Sequence, residues 1–308
     1  MKRVVITGAT GVVGTALTAE MLKQGIEVLA LLREGSPNNS RLKPHQLLTI
    51  RECSVEHLQS FVNDTGRSWD AFYHLGWTGT KGQPRFDPRI HSKNVSYAVD
   101  AVDLAFRLGC SVFIGAGSQA EYGRCSEKLT PYTPARPENA YGIGKLCAGF
   151  MTREQAHKLG MRHIWTRILS VYGPCDGEKT LVTYFINSFR QHIRPSCTEG
   201  TQIWDLLYSG DAARALRMIG ENGRDGKTYL IASGAERMLR FYIEEMRDVL
   251  APGTEIGFGE VPYGENAVMY LAADISETIK DTGWRPEVSF AEGIRRTAEE
   301  LRCMPQKA

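Results

Sequence analysis

The chain opens with Val4-Val5-Ile6-Thr7-Gly8-Ala9-Thr10-Gly11-Val12-Val13-Gly14, an apolar run that passes into three spaced glycines and then a helical pattern. A strand with consecutive apolar residues is buried on both faces, so it requires structure packed above and below it. Gly8 and Gly11 carry no Cβ, which permits a sharp turn and the close approach of another group. Gly14 allows the next helix to lie against the sheet. The start of that helix offers unpaired N–H groups and the positive end of its dipole, a site suited to a pyrophosphate. Gly8, Thr10, Gly11, Val12 and Val13 are the candidate phosphate-binding residues. A glycine triplet alone says little; the strand before it and the helix after it supply the context.

The same rhythm continues through the first two-thirds of the chain. Short apolar runs at 3–7, 27–32, 47–51, 71–75, 112–115 and 163–168 are predicted strands, with helical stretches at 14–24, 94–108 and 141–159. Buried strands separated by helices imply an α/β fold with a doubly wound parallel sheet of the Rossmann type. Beyond Tyr172 the rhythm loosens. Residues 1–173, with return segments near 203–233, are assigned to this dinucleotide-binding domain. Residues 174–202 and 234–308 are assigned mainly to a smaller, discontinuous C-terminal substrate lobe.

Other properties narrow the function classes. The net charge is +2, so neither nucleic acid nor an anionic membrane is an expected partner. No apolar run approaches the length of a membrane span, and the N-terminus enters a strand at once, leaving no room for a signal peptide. The seven cysteines are scattered with no C-x-x-C pair, which reads as reduced thiols, no metal site and a cytoplasmic location. The sequons at Asn38, Asn63 and Asn94 are then chance.

The second strand ends in Arg33. An acidic residue there would hydrogen-bond ribose hydroxyls and favour NAD, whereas Arg33 can pair with a 2′-phosphate, with Ser36 and Arg41 close in sequence. NADP is the preferred cofactor. An arginine that stacks on the adenine suits either dinucleotide, so NAD stays open.

Tyr141 and Lys145 stand four apart, on one face of a helix. A phenol near pKa 10 is a poor base at neutral pH, and a neighbouring ammonium would lower it. Ser118 falls at the end of the fifth strand, in Gly117-Ser118-Gln119-Ala120-Glu121-Tyr122-Gly123, where a parallel sheet forms its ligand crevice. Its hydroxyl can hold a substrate oxygen while Tyr141 exchanges a proton.

These residues, with His74-Leu75-Gly76, Asn94 and Arg167-Ile168-Leu169-Ser170-Val171-Tyr172-Gly173-Pro174, resemble the sugar-nucleotide epimerase, dehydratase and reductase group of the extended short-chain dehydrogenase/reductases. The resemblance implies that Tyr141 is the proton donor or acceptor, that Lys145 binds the nicotinamide ribose and tunes Tyr141, and that Ser118 orients the reacting oxygen. It adds Leu75, Gly76, Asn94 and Tyr172 to the cofactor residues. Ser118, Gln119, Glu121, Ser170 and Trp204 are the implied substrate residues, and a nucleotide-diphosphate sugar is the implied partner. A homodimer through the two helices that begin near Asn94 and Tyr141 is also implied.

Dehydratases of the group carry a threonine followed by an Asp–Glu pair where this chain has Ser118, Gln119 and Ala120, which cannot serve as that acid and base. A 4-ketoreductase and a 4-epimerase are left, and Arg33 favours the NADPH-consuming reductase. Many relatives carry Arg-Asp where this chain has Trp204-Asp205, so Arg194, Arg237 or Arg240 is expected to meet the diphosphate. The remaining signals have plainer readings. His74 is a satisfied core histidine, Trp77 and Trp204 are packing aromatics, Cys175 is an ordinary thiol, and Asp211 caps a helix over 212–219.

Overall fold

The apolar runs do form strands. The computed structural model describes residues 1–303; residues 304–308 of the expected second lobe lie outside the described residues. β1 (Arg3–Thr7) leads into α1 (Val12–Lys23), β2 (Glu27–Leu32), β3 (Leu48–Glu52) and β4 (Ala71–His74). Next come α2 (Pro88–Arg107), β5 (Val112–Ser118), α3 (Ala140–Lys158) and β6 (Arg162–Ile168). The remainder comprises β7 (Ser170–Tyr172), α4 (Leu181–Arg190), β8 (Ser196–Cys197), β9 (Ile203–Trp204), β10 (Leu206–Tyr208), α5 (Ser209–Asn222) and β11 (Thr228–Ile231). It closes with β12 (Arg237–Met238), α6 (Leu239–Leu250), β13 (Gly257–Phe258), β14 (Tyr270–Leu271), α7 (Ser276–Thr282) and α8 (Phe290–Cys303).

Seven parallel strands pair in the order β11-β6-β5-β4-β1-β2-β3. The order changes direction between β1 and β4, and the carboxyl ends of the strands at such a switch form the ligand crevice. Val4 and Ile6 pack on one face with Leu17 and Met21 of α1 and Leu216 and Ile219 of α5. Val5 and Phe72 face the other way, onto Val102 and Ala105 of α2 and Ala156 of α3. Val4, Val5 and Ile6 have no exposed surface, so each contributes roughly 1.5–3 kcal/mol of burial.

Three boundaries differ from the sequence reading, each for a local reason. α2 begins at Pro88, a turn and a half before Asn94, because the Asp87 carboxylate accepts the Arg89 N–H and Pro88 occupies the first turn. β5 runs on through Gly115 and Gly117 to Ser118, since the Trp165 ring of β6 lies across those glycines. Asp211 does not cap a helix over 212–219. α5 starts at Ser209, and the buried Asp211 carboxylate accepts the N–H groups of Glu287 (3.0 Å) and Val288 (2.9 Å).

A separate apolar cluster joins Phe185, Ile186 and Phe189 of α4 to Tyr242, Ile243 and Met246 of α6 and Ile294 of α8. Asp205, between β9 and β10, ties this half to the end of β11 by accepting the N–H groups of Ser233 (2.7 Å) and Gly234 (2.9 Å). Among the described residues no helix is long and apolar enough to cross a membrane.

Candidate active site

At the amino end of the crevice the chain turns at Gly8, whose φ is +70°, directly against the Leu75–Gly76 backbone. A Cβ on Gly14 would lie 2.1 Å from the Gly8 carbonyl oxygen, so turn and helix are fitted to each other. α1 begins after Gly11 with no side-chain cap among the described residues, which leaves its first N–H groups, at Val12 and Val13, for an anion. Thr7 Oγ1 accepts the Gly76 N–H (3.2 Å) and bonds His74 Nδ1 (3.0 Å), fixing Leu75 and Gly76 as the floor. This exposed cradle of turn and uncapped helix fits a dinucleotide pyrophosphate.

His74 is only half satisfied. Its Nε2 is buried without a hydrogen-bond partner among the described residues, and burial pushes its pKa down to about 3. Arg33, Arg51, Cys53 and Ser54, at the ends of β2 and β3, line a cavity of about 600 Å³ beside the cradle. Arg33 is exposed there, with no carboxylate partner among the described residues, while Arg51 is paired with Asp64 at 3.0 Å. Arg41 turns away from this cavity. Its Nη1 donates to the carbonyls of Thr10 (2.8 Å) and Cys175 (3.0 Å), and burial pushes the Cys175 thiol up, as an ordinary thiol behaves.

The carboxyl end of β5 brings Ser118, Tyr141 and Lys145 together. Asn139 caps α3 by accepting the Gly142 N–H (3.0 Å), which places Tyr141 in the first turn and Lys145 one turn on. The Tyr141 hydroxyl stands beside that of Ser118, whose Oγ also accepts the Ala120 N–H at 3.2 Å. Lys145 Nζ donates to the Ala116 carbonyl at 2.6 Å and lies 3.9 Å from the Trp77 ring centre but 6.0 Å from that of Tyr141. The cation against the phenol is Arg85, with its guanidinium carbon 4.1 Å from the ring centre. Burial pushes the Tyr141 pKa up, opposed by the nearby Ser118 hydroxyl and the Arg85 charge. Burial pulls Lys145 down to about 7. Lys145, expected to supply the cation beside Tyr141, directs its ammonium to the Ala116 carbonyl and the Trp77 ring, with the Tyr141 ring centre 6.0 Å away.

Other expected site residues are placed differently from one another. Asn94 spends both polar atoms on Thr78, accepting its N–H (3.0 Å) and donating to its carbonyl (2.9 Å), so it anchors the loop after β4. Glu121, expected to touch substrate, has no exposed surface. Its oxygens accept the Ser118 N–H (2.8 Å), Trp165 Nε1 (3.1 Å) and Arg167 Nε (2.7 Å), so it supports the serine turn from behind. Tyr172, expected at the cofactor, sends its ring into the α4–α6–α8 cluster and its hydroxyl to the Phe290 carbonyl (3.3 Å). Trp204 Nε1 donates to Ser170 Oγ (2.9 Å), which joins two expected substrate residues, while the half-buried Gln119 stays at the surface of the site. Arg194, Arg237 and Arg240 each carry a carboxylate partner already: Glu260, Glu245 and Glu199. Arg85 and the Asn139 cap were missed. Asn139 stands just before the helical stretch and was readable as a cap, whereas nothing local to Gln83-Pro84-Arg85-Phe86 points that arginine at Tyr141.

A dinucleotide cradle beside a Ser–Tyr–Lys cluster, at the switch point of a parallel sheet, defines a Rossmann-type NAD(P)-dependent enzyme. A family model described as "NAD dependent epimerase/dehydratase family" matches residues 4–232, and the chain belongs to this family. It is 26% identical to a CDP-abequose synthase of Salmonella typhimurium, over 97% of this chain and 98% of that protein. It is 24% identical to an Escherichia coli dTDP-4-dehydro-6-deoxyglucose reductase, over 97% and 98%. In three dimensions it is similar to a UDP-N-acetylglucosamine 4-epimerase from Methanobrevibacter ruminantium, with a TM-score of 0.87, 20% identity and 98% of each chain covered. Among the described residues no group of His, Cys, Asp and Glu is placed to hold a metal ion.

Proposed function

We propose that this protein reduces a nucleotide-linked 4-keto-6-deoxyhexose at C4, using NADPH. The observation that carries the reading is the neighbouring hydroxyls of Ser118 and Tyr141 at the crevice, with no Asp–Glu pair directly after the serine. Gln119 is an amide, Ala120 is apolar, and the Glu121 carboxylate is sealed behind the turn by Arg167. Elimination of water needs an acid for the leaving hydroxyl and a base for the adjacent carbon, and neither is present there. A carbonyl reduction needs one proton donor and one group to hold the oxygen, which this pair supplies. The likeness to a CDP-abequose synthase and a deoxyhexose reductase over nearly the full chain supports the same substrate class.

The dinucleotide, held at Gly8, Gly11 and the start of α1, supplies hydride when bound. Ser118 donates a hydrogen bond to the ketone oxygen and fixes its distance from Tyr141. Tyr141 gives its hydroxyl proton to that oxygen as negative charge develops on it. Lys145, one turn after Tyr141 on α3, would hold the nicotinamide ribose when the dinucleotide is bound. Arg33 supports NADP through its exposed guanidinium. Gln119, Ser170 and Trp204 form the sugar side of the site. Phe106, Ile143, Phe150 and Met151, exposed on the outer faces of α2 and α3, support a homodimer through those helices.

A 4-epimerase that retains NAD is the second reading. Glu34, Glu52 and Glu56 line the same cavity as Arg33 and can accept ribose hydroxyls. Purified protein with NADPH and either dTDP-4-dehydro-6-deoxyglucose or its CDP-linked counterpart separates the two. Loss of the nicotinamide absorbance in proportion to ketosugar is expected. Unchanged absorbance with both sugars overturns the reductase, and interconversion of two nucleotide sugars without net cofactor use establishes the epimerase.

A further inference from the structure

We infer that Arg85 is a second cationic partner of Tyr141, one that stabilises the phenolate left when the tyrosine gives up its proton. The inference rests on Tyr141 being the proton donor of the proposed reduction. Arg85 belongs to a short helical turn, Gln83–Phe86, between β4 and α2. Its backbone is pinned, because the Arg85 carbonyl accepts from His91 Nε2 at 3.0 Å. His91 Nδ1 in turn accepts the Trp77 indole N–H at 3.1 Å, which fixes that tautomer. The guanidinium is pinned as well: Nη1 donates to the Thr80 carbonyl at 3.0 Å while the plane covers the Tyr141 ring at 4.1 Å. A surface arginine held at three points has lost much of its freedom already, so its charge is aimed at the phenol at little further cost in entropy.

The other groups around Tyr141 are farther away or already engaged. From α2, His91 meets the ring edge-on at 5.7 Å, with one ring nitrogen on Trp77 and the other on the Arg85 carbonyl. From the loop after β4, Trp77 meets it edge-on at 6.4 Å. Behind Ser118, the Glu121 charge is opposed by Arg167 at 2.7 Å. On α3 itself, Lys145 gives its ammonium to the Ala116 carbonyl and the Trp77 ring, 6.0 Å from the Tyr141 ring centre. The guanidinium of the half-exposed Arg85 is nearer, at 4.1 Å. A cation within about 4–6 Å lowers an acid's pKa by roughly 1–3 units.

In the reduction one O–H bond of Tyr141 breaks and one forms on the former ketone oxygen. Arg85 exchanges no proton; it offsets the charge that stays on the phenolate. The test compares wild type, Arg85→Gln, Arg85→Lys and Tyr141→Phe, all as the full chain. Turnover of dTDP-4-dehydro-6-deoxyglucose with NADPH is followed against pH, and carbon-13-labelled tyrosine NMR follows the Tyr141 ionisation without turnover. Tyr141 must be protonated to act, so activity falls as pH rises through its pKa. Arg85→Gln is expected to move that alkaline limb, and the NMR ionisation, up by about one unit. It should also lower kcat near neutrality about tenfold and leave KM within about twofold, while Arg85→Lys restores most of the limb position. An unmoved limb and unmoved ionisation overturn the inference, whether kcat falls or KM rises. Tyr141→Phe decides the underlying reading separately: turnover retained in that variant removes Tyr141 as donor whatever Arg85 does.

Discussion

Lys145 carries a stability cost whose sign can be worked out. In an unfolded chain its amine titrates near its ordinary value of about 10.4. In the folded protein burial pulls it to about 7, with the Ala116 carbonyl as its hydrogen-bond partner. Between these values the unfolded chain holds the extra proton, so this group adds stability as pH rises through the window. Below pH 7 the penalty for burying the ammonium is fully present. Lys145→Met removes it, and should raise the melting temperature by several degrees at pH 7 and below, for a gain on the order of 2 kcal/mol. Melting curves against pH should show the gain shrink toward about pH 10, while turnover is lost throughout. Glu121 carries the opposite sign. Glu121→Gln leaves the Arg167 guanidinium buried without a counter-charge, which costs on the order of 3–5 kcal/mol and loosens the Ser118 turn. A lower melting temperature and a lower kcat, with KM little changed, are expected. At this scale the sequence disclosed what helix geometry enforces, the four-residue spacing of Tyr141 and Lys145. It concealed what only tertiary contact decides. Arg167 lies 46 positions from Glu121, and no local pattern shows that the two meet and withdraw that carboxylate from the sugar.

Among the elements, α1 is closely fitted to the glycine turn that precedes it. Its register against the Gly8 turn leaves no room for a side chain at Gly14, since a Cβ there meets the Gly8 carbonyl oxygen at 2.1 Å and the Ala9 backbone at 2.8 Å. Gly14→Ala therefore displaces the turn or the helix. Binding of NADPH, read by its fluorescence, is expected to weaken by more than about tenfold, with a loss of roughly 1–3 kcal/mol in stability. The strands were readable because runs such as Val28-Leu29-Ala30-Leu31-Leu32 stay apolar through both faces, which only a covered parallel strand tolerates. Where a strand ran through glycines, as at Gly115 and Gly117, the deciding group was a tryptophan on the neighbouring strand. The start of α2 was readable in Asp87-Pro88, a cap followed by a proline, and was overlooked because its first turns lack apolar periodicity.

Across the whole molecule, the sheet follows from the sequence and the second cluster does not. α4, α6 and α8 come from three distant stretches, and β8, β9, β10 and β12 between them are two or three residues long, too short to leave a period. Their association depends on which apolar faces meet in three dimensions. The outer faces of α2 and α3 pose a related question of association between molecules. Phe150→Glu places a charge in the proposed helical contact and should convert the dimer to a monomer in light scattering, with the melting temperature of the fold otherwise little altered.

The Arg41 side chain fastens two distant loops, gripping Thr10 in the glycine-rich turn and Cys175 beyond β7. Because one guanidinium nitrogen makes both contacts, loss of that side chain frees the two loops together rather than one at a time.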